Sequence, residues 1–191
     1  MIHKQMVITL LFCLLFCSNV SAQNNDSKYI PEDKMFSYSI PSGWVLREMP
    51  GRKYKVAVTQ PVNGFAPNIN IVDEVSSSDL NSYVDGNLQI LTQLHEKFRH
   101  NFKILSRSVF TTMYAQSGVR VITESDQGAS SIRQTFFFFD GKDGRKLIVT
   151  CTVLAIGGEK YDPVFEKSLK TFQSSTARPT IAWSRLRISS R

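Results

Sequence analysis

TFFFFDGKDGRKLIVTCTVLAI, residues 135–156, is the stretch from which the fold can be read. Successive side chains of a strand point to opposite faces, so Phe136–Phe139 cannot all look the same way. Both faces of that strand must be covered by other parts of the chain. Asp140-Gly141-Lys142-Asp143-Gly144 is a strong turn signal, and Lys146–Ile156 returns as a second continuous apolar strand. The stretch predicts a hairpin at the centre of a sheet.

Working outward, Gly157-Gly158 ends the second strand, and Asp162 as N-cap with Pro163 at the first helical position opens a helix. Its Phe165, Leu169 and Phe172 form one apolar stripe that would lie against the sheet. On the N-terminal side, Phe102–Thr111 and Gly118–Glu124 read as strands. From Leu80 to Phe98 the period becomes helical, with Leu80, Val84, Leu88, Leu91, Leu94 and Phe98 in one stripe and Tyr83 and Ile90 at its edge. Ser76 and Asp79 have the spacing of a capping box before it. Gly86 inside this helix costs about 1 kcal/mol relative to alanine, which a stripe of this size absorbs. Phe36-Ser37-Tyr38-Ser39-Ile40 alternates with period two as a half-buried strand, and Lys55–Gln60 and Asn68–Val75 complete the strand set. The pattern predicts an α+β fold: a single domain with an antiparallel β-sheet sandwiched between helices.

The chain has 191 residues, 42% of them hydrophobic and 20% charged, with a formal charge of +7. That length suits one domain, and the composition excludes collagen-like, low-complexity and multispan membrane classes. Residues 1–22 carry Lys4, an apolar run from Met6 to Cys17, and Val20-Ser21-Ala22 placed for a signal peptidase. The run of 12 residues is short of the roughly 20 that span a bilayer, so a cleavable signal is expected rather than an anchor helix. Cys13 and Cys17 each follow Leu-Leu-Phe, and bulky phenylalanine suits a lipidated cysteine poorly. Cleavage after Ala22 leaves Cys151 as the one cysteine, so no disulfide within the chain is available and the core must hold the fold unaided. Residues 23–34 read as a flexible polar lead-in, 35–173 as the domain, and 174–191 as a basic, disordered tail. The tail carries four arginines and no acid, whereas the segment 28–173 has 18 basic against 15 acidic residues. Most of the basic character therefore belongs to the tail.

The candidate chemistry is sparse. A nucleophile would be Cys151, with His95 or His100 as base, but Cys151 sits in an apolar strand, where a cysteine behaves as a small hydrophobe. His95 lies on the flank of the helical stripe and reads as a hydrogen-bonded core or boundary histidine, and His100 as solvated. Two histidines and one cysteine give no metal-ligand spacing. Asp73-Glu74 and the pair Asp140 and Asp143 are the acidic alternatives for a cation, and turn aspartates are explained by backbone capping. No glycine-rich phosphate loop precedes a helix. Arg47, Arg52, Lys53 and Lys55 cluster around a turn and read as a soluble face. Nucleic acid is not an expected partner, since aromatics do not alternate with these basic residues. In the tail, Ile181, Trp183, Leu186 and Ile188 accompany the arginines, which suits adding a strand to a partner or lying on an anionic membrane surface. Arg178, Trp183, Arg185 and Arg187 are the expected contact residues. No catalytic residue, cofactor or metal is expected.

The order of elements resembles the PsbP-like and DcrB-like families of exported or thylakoid-lumenal proteins. The resemblance is carried by the run from Phe36 to Ile40 with Pro41-Ser42-Gly43-Trp44, by Pro67-Asn68-Ile69-Asn70-Ile71, by the long helix, by the Phe-rich hairpin with its Asp-Gly turn, and by Tyr161–Phe172. It covers residues 35–173 and implies an α/β/α sandwich. These families include extrinsic photosystem subunits, envelope proteins and chaperone-like adaptors, are mainly non-enzymatic, and share no catalytic motif. The expectation is an exported, non-enzymatic accessory or binding protein of the cell envelope or periplasm, acting through contacts with an envelope protein. The alternative is a carrier of a hydrophobic small molecule or lipid, with a pocket lined by Phe136–Phe139 between sheet and helix.

Overall fold

In a computed structural model of the protein, described over residues 27–128 and 130–175, ten strands and two helices build two sheets. The larger sheet contains β3 (Val45–Arg47), β4 (Val56–Val58), β5 (Asn68–Val75), β6 (Phe102–Thr111), β7 (Ser117–Gln127), β8 (Ser130–Asp140) and β9 (Arg145–Leu154). Its spatial order is β3-β4-β5-β9-β8-β7-β6, with antiparallel pairing throughout. The β8–β9 hairpin lies in its middle, as the phenylalanine run requires.

That run divides between two cores. Phe137 and Phe139 enter the larger core, on the face where α2 (Asp162–Lys170) places Phe165 and Leu169 and where Phe172 follows. Phe136 and Phe138 enter the second core with Val119, Val121 and Ile148, under Tyr83, Val84 and Leu88 of α1 (Leu80–Lys97). Each strand face is thus dry, and the expected α/β/α layering holds. At roughly 1.5–3 kcal/mol for each fully buried phenylalanine, these four side chains are a principal stabilising term.

Several local expectations are corrected. Phe36–Ser39 (β2) is not part of the large sheet. It pairs with β1 (Lys28–Tyr29) on one side and β10 (Gln173–Ser174) on the other, and this three-stranded ribbon closes the larger core beside α2. Covered in this way, Phe36, Ser37 and Tyr38 are all buried, where an alternating half-buried strand was expected. The lead-in expected to be flexible is structured from Lys28 onward: Tyr29 is buried, and Asp33 receives the Tyr54 hydroxyl at 3.0 Å and Lys53 at 3.0 Å. Likewise the folded part extends past Gln173, because Ser174 is buried in register with Phe36.

At the helix ends, Asp79 itself caps α1, its carboxylate accepting from the Asn81 and Ser82 amides at 3.0 and 3.1 Å. Asp162 does not cap α2. A 3-10 turn, Gly158–Tyr161, leads straight into that helix, and the Asp162 carboxylate is used instead by Arg133, at 2.7 Å. Phe98 of the anticipated apolar stripe is exposed, as is Ile90 at its edge, while His95 is buried, because the last turn of α1 leans on Phe102.

Candidate interaction site

The outer strand β6 presents the structure's most unusual surface. Eight of its ten residues are exposed, among them Ile104, Leu105 and Val109, the last at 74%. Among the described residues it pairs only with β7. Helix α1 lies against it without covering it: Arg107 reaches across to the Asp85 carboxylate and to Asn81 Oδ1 at 3.2 Å. A register shift between Ile104 and Ser106 leaves Leu105 as an inserted residue and the run from Ser106 to Thr111 regular. At the hairpin the Thr112 amide donates to the Gln116 carbonyl at 2.9 Å. Alternation of hydrogen-bonded pairs then directs the Ser108 and Phe110 backbone groups toward β7, and those of Arg107 and Val109 outward. Met113 and Tyr114, also exposed, continue the apolar surface around the hairpin. Long exposed edges of this kind are what partner strands add to. The opposite edge, β3, has three residues, none exposed, with Leu46 packed on the core.

The residues singled out for chemistry are not brought together. Cys151 faces the α2 side and is fully buried, and burial pushes its thiol well above the ordinary value. His95 stands on α1, across the sheet from Cys151, so the two form no dyad. Its ring is 2% exposed and stacks on Phe102, with centroids 4.8 Å apart and planes 8° apart. Burial, reinforced by the neighbouring His100 and opposed by Asp126, holds the imidazole below its ordinary value. It is buried, as expected of a core histidine, and its Nδ1 has no hydrogen-bond partner.

Acidic and basic candidates are mostly engaged with one another. Asp73 accepts from Lys53 at 3.0 Å and Arg145 at 2.6 Å, and Glu74 accepts from the Tyr83 hydroxyl at 2.5 Å. Asp140 takes Lys146 at 2.5 Å, and Asp143 stands in the left-handed region of the hairpin turn, with φ of 57°. Among the described residues no group of three or more His, Cys, Asp or Glu side chains is arranged to hold a metal ion. In the basic cluster, Lys53 joins Asp33 and Asp73, and Lys55 meets Glu48 at 3.1 Å.

Among the described residues, neither of two hollows is lined by Phe136–Phe139. One, of about 50 Å³, lies between Val62, Phe65, Pro67, Val153 and Tyr161, and the other, open and of about 220 Å³, between Ile30, Lys34, Phe36 and Gln173. The four rings are packed in the two cores instead. The expected tail contacts, Arg178, Trp183, Arg185 and Arg187, lie outside the described residues, as does the apolar run near the N-terminus. Among the described residues no helix is long and apolar enough to cross a membrane.

Sequence reasoning placed β6 but not its exposure. Its pattern, KILSRSVF over residues 103–110, has apolar residues at half its positions, which suits a strand whether or not a neighbour covers it. The faint signal was the pair of cations, Lys103 and Arg107, of the kind that edge strands carry.

No family model matches the chain, and no curated protein matches it in sequence. Among solved structures it is similar to cyanobacterial PsbP (CyanoP) from Synechocystis sp. PCC 6803, at TM-score 0.60 and 11% identity, over 84% of this chain and 98% of that one. It is also similar to the Saccharomyces cerevisiae Ran-binding protein Mog1p, at TM-score 0.52 and 11% identity, over 80% and 96% of the two chains. LpqN, involved in cell envelope biogenesis of Mycobacterium tuberculosis, aligns at TM-score 0.50 and 13% identity, over 72% of this chain and 82% of that one. At such identities the similarity is one of architecture. The two-core antiparallel sheet with a helix on each face is the PsbP-like fold.

Proposed function

We propose that the protein is an exported, non-enzymatic accessory protein of the cell envelope or periplasm, which works by docking another envelope protein at the β6 edge. The observation that carries this reading is the ten-residue outer strand with Ile104, Leu105 and Val109 exposed and with the Arg107 and Val109 backbone groups turned outward. An extended segment that adds to this edge gains main-chain hydrogen bonds, and its side chains lie beside those three apolar residues. Lys103 and Arg107 favour a partner strand that carries acidic residues between its apolar ones. Support for an envelope setting comes from the signal-like sequence of residues 1–22 and from fold-level similarity to LpqN, which is analogy of architecture. Support for a non-enzymatic role comes from the placement of Cys151 and His95 on opposite sides of the sheet.

Site-specific photo-crosslinking in intact cells tests the reading. A crosslinker at Val109 is expected to give a discrete adduct that one at Ile156, exposed at 83% just beyond the end of β9, does not give. Identical adducts from the two positions, or none from Val109, would count against docking at β6.

A further inference from the structure

The two faces of β6 differ in chemistry. Phe110 belongs to the larger core, on the α2 side of the sheet, and alternation puts Ser106 and Ser108 on that side with it. Lys103 is there too: it pairs with Glu124, which accepts from Arg133, and Arg133 in turn reaches Asp162 of α2. On the α1 side stand Ile104, Arg107 and Val109, the second of them bonded to Asp85 of α1. The Thr111 end of the edge is closed by α2. Thr111 follows Arg107 and Val109 in the alternation that turns backbone groups outward, and its carbonyl accepts from Lys170 Nζ at 2.8 Å. The same ammonium lies 4.6 Å from the centroid of the Phe110 ring. The Lys170 carbonyl accepts from the Met113 amide at 2.7 Å, which fixes this last residue of α2 to the β6–β7 hairpin. Among the described residues neither Lys103 nor Lys170 forms a salt bridge.

We propose that Lys170 sets the register of a partner strand on β6 by receiving an acidic side chain from it. This rests on the reading of β6 as the docking edge and names the kind of segment that fits. With Lys170 on the Thr111 carbonyl, the outward backbone groups of Arg107 and Val109 stay open to a partner, and the ladder stops at Val109. Antiparallel addition, the direction of every other pairing in the sheet, brings the N-terminal end of the partner strand to that stop. Directly paired residues share a face, so the partner residue opposite Phe110 points to the α2 side, where the Lys170 ammonium stands over the ring. That ammonium has three donors, of which Thr111 takes one. An aspartate or glutamate at this place gains a charge-assisted hydrogen bond, and a basic residue is repelled. The next residue, opposite Val109, lies on the apolar side, and the one after it meets the Ser108 hydroxyl. The partner segment therefore reads acidic, apolar, polar from its N-terminal side. Lys103, farther along the α2 side, adds to the attraction for an acidic segment.

The probes are three end-blocked hexapeptides offered to the purified full chain: Glu-Val-Ser-Val-Ser-Thr, the same peptide with Gln in first place, and the reversed order Thr-Ser-Val-Ser-Val-Glu. Slowed amide exchange at Val109 and Arg107 locates binding at β6, and unchanged exchange in β8 and β9 shows that each protein is folded. The expected result is that the Glu-first peptide binds about five-fold more tightly than either of the others. The preference for Glu over Gln disappears in Lys170→Met and is kept in Lys170→Arg. Equal affinity of the wild type for the Glu-first and Gln-first peptides would overturn the proposal, with no variant needed. So would a preference that survives in Lys170→Met, tighter binding of the reversed peptide, or no slowing at Val109 and Arg107 by any of the three. If all three slow these amides alike, or if none does while the Val109 crosslinker still gives its adduct in cells, the role of Lys170 fails and docking at β6 stands. If none does and no adduct forms, docking itself fails.

Discussion

Ser174 and Gln116 hold each other through two hydrogen bonds, one in each direction between backbone amide, hydroxyl and side-chain amide. Gln116 Nε2 also reaches the Asp140 carbonyl at 3.2 Å, so one side chain ties the last described strand to the ends of both β7 and β8. Gln116→Ala removes all of these bonds and leaves the buried Ser174 short of its main partner. A loss of about 1–3 kcal/mol is expected. Thermal unfolding would show it, and faster exchange confined to β10 and β2 would place it.

Phe139 and Phe172 stack with centroids 4.4 Å apart and planes 13° apart, and Gly118 lies directly across from Phe139 in the β7–β8 register. A Cβ at position 118 would stand 2.5 Å from Phe139 Cδ1 and 2.6 Å from the Phe138 carbonyl oxygen, the second of which is backbone and cannot turn aside. Gly118→Ala therefore overpacks the larger core, at an expected 1–3 kcal/mol, about what such insertions cost. Phe139→Ala empties the same place, and about 3–5 kcal/mol is expected. Combined in one chain, the two should cost less than their sum, since removing the ring makes room for the new methyl. Strict additivity in denaturant titrations would show that the ring and the glycine are not matched.

His95 gives the fold a pH dependence. Its imidazole is held below the ordinary value of 6.5 by burial first, then by His100, with Asp126 acting the other way, and the face it meets on β6 is the Phe102 ring. Between that lowered value and 6.5 the unfolded chain binds a proton that the folded chain refuses. Stability is therefore complete above 6.5 and declines as pH falls toward the folded value. His95→Gln should flatten this part of the curve of melting temperature against pH. An unchanged slope would assign the dependence to other groups.

The Cys151 thiol, fully buried and pushed up by burial, should be silent toward thiol reagents in the native chain. Labelling at neutral pH is expected only as fast as the domain opens, and to rise with denaturant along the unfolding curve. Rapid labelling of native protein would contradict the packing of the larger core.

The fold is legible where a pattern is local and dry on both sides. Asn68–Val75 and Phe102–Thr111 can be read to the residue, and four consecutive phenylalanines, Phe136–Phe139, by themselves demand a core on each face of their strand. Long-range pairings are not legible. Lys28–Tyr29 and Gln173–Ser174 are too short to signal strands on their own, and they exist because Phe36–Ser39 lies between them. Asp162 looks like a cap because an N-cap is a local signal, whereas its actual partner, Arg133, is 29 positions away. The candidate site is hidden for the same reason: which strand stands at the edge is decided by sheet order, and a hydrophobic strand reads the same whether or not a neighbour covers it.

Docking of a partner strand on β6 turns on the Val109 amide. Val109→Pro removes a donor that faces outward and spares the ladder to β7, while Val109→Thr keeps the donor and the branched shape. With a photo-crosslinker at Leu105 in intact cells, the proline variant is expected to lose the adduct that wild type and Val109→Thr both give, with melting temperatures of the purified variants alike. Retention of the adduct by Val109→Pro would contradict docking through the β6 backbone.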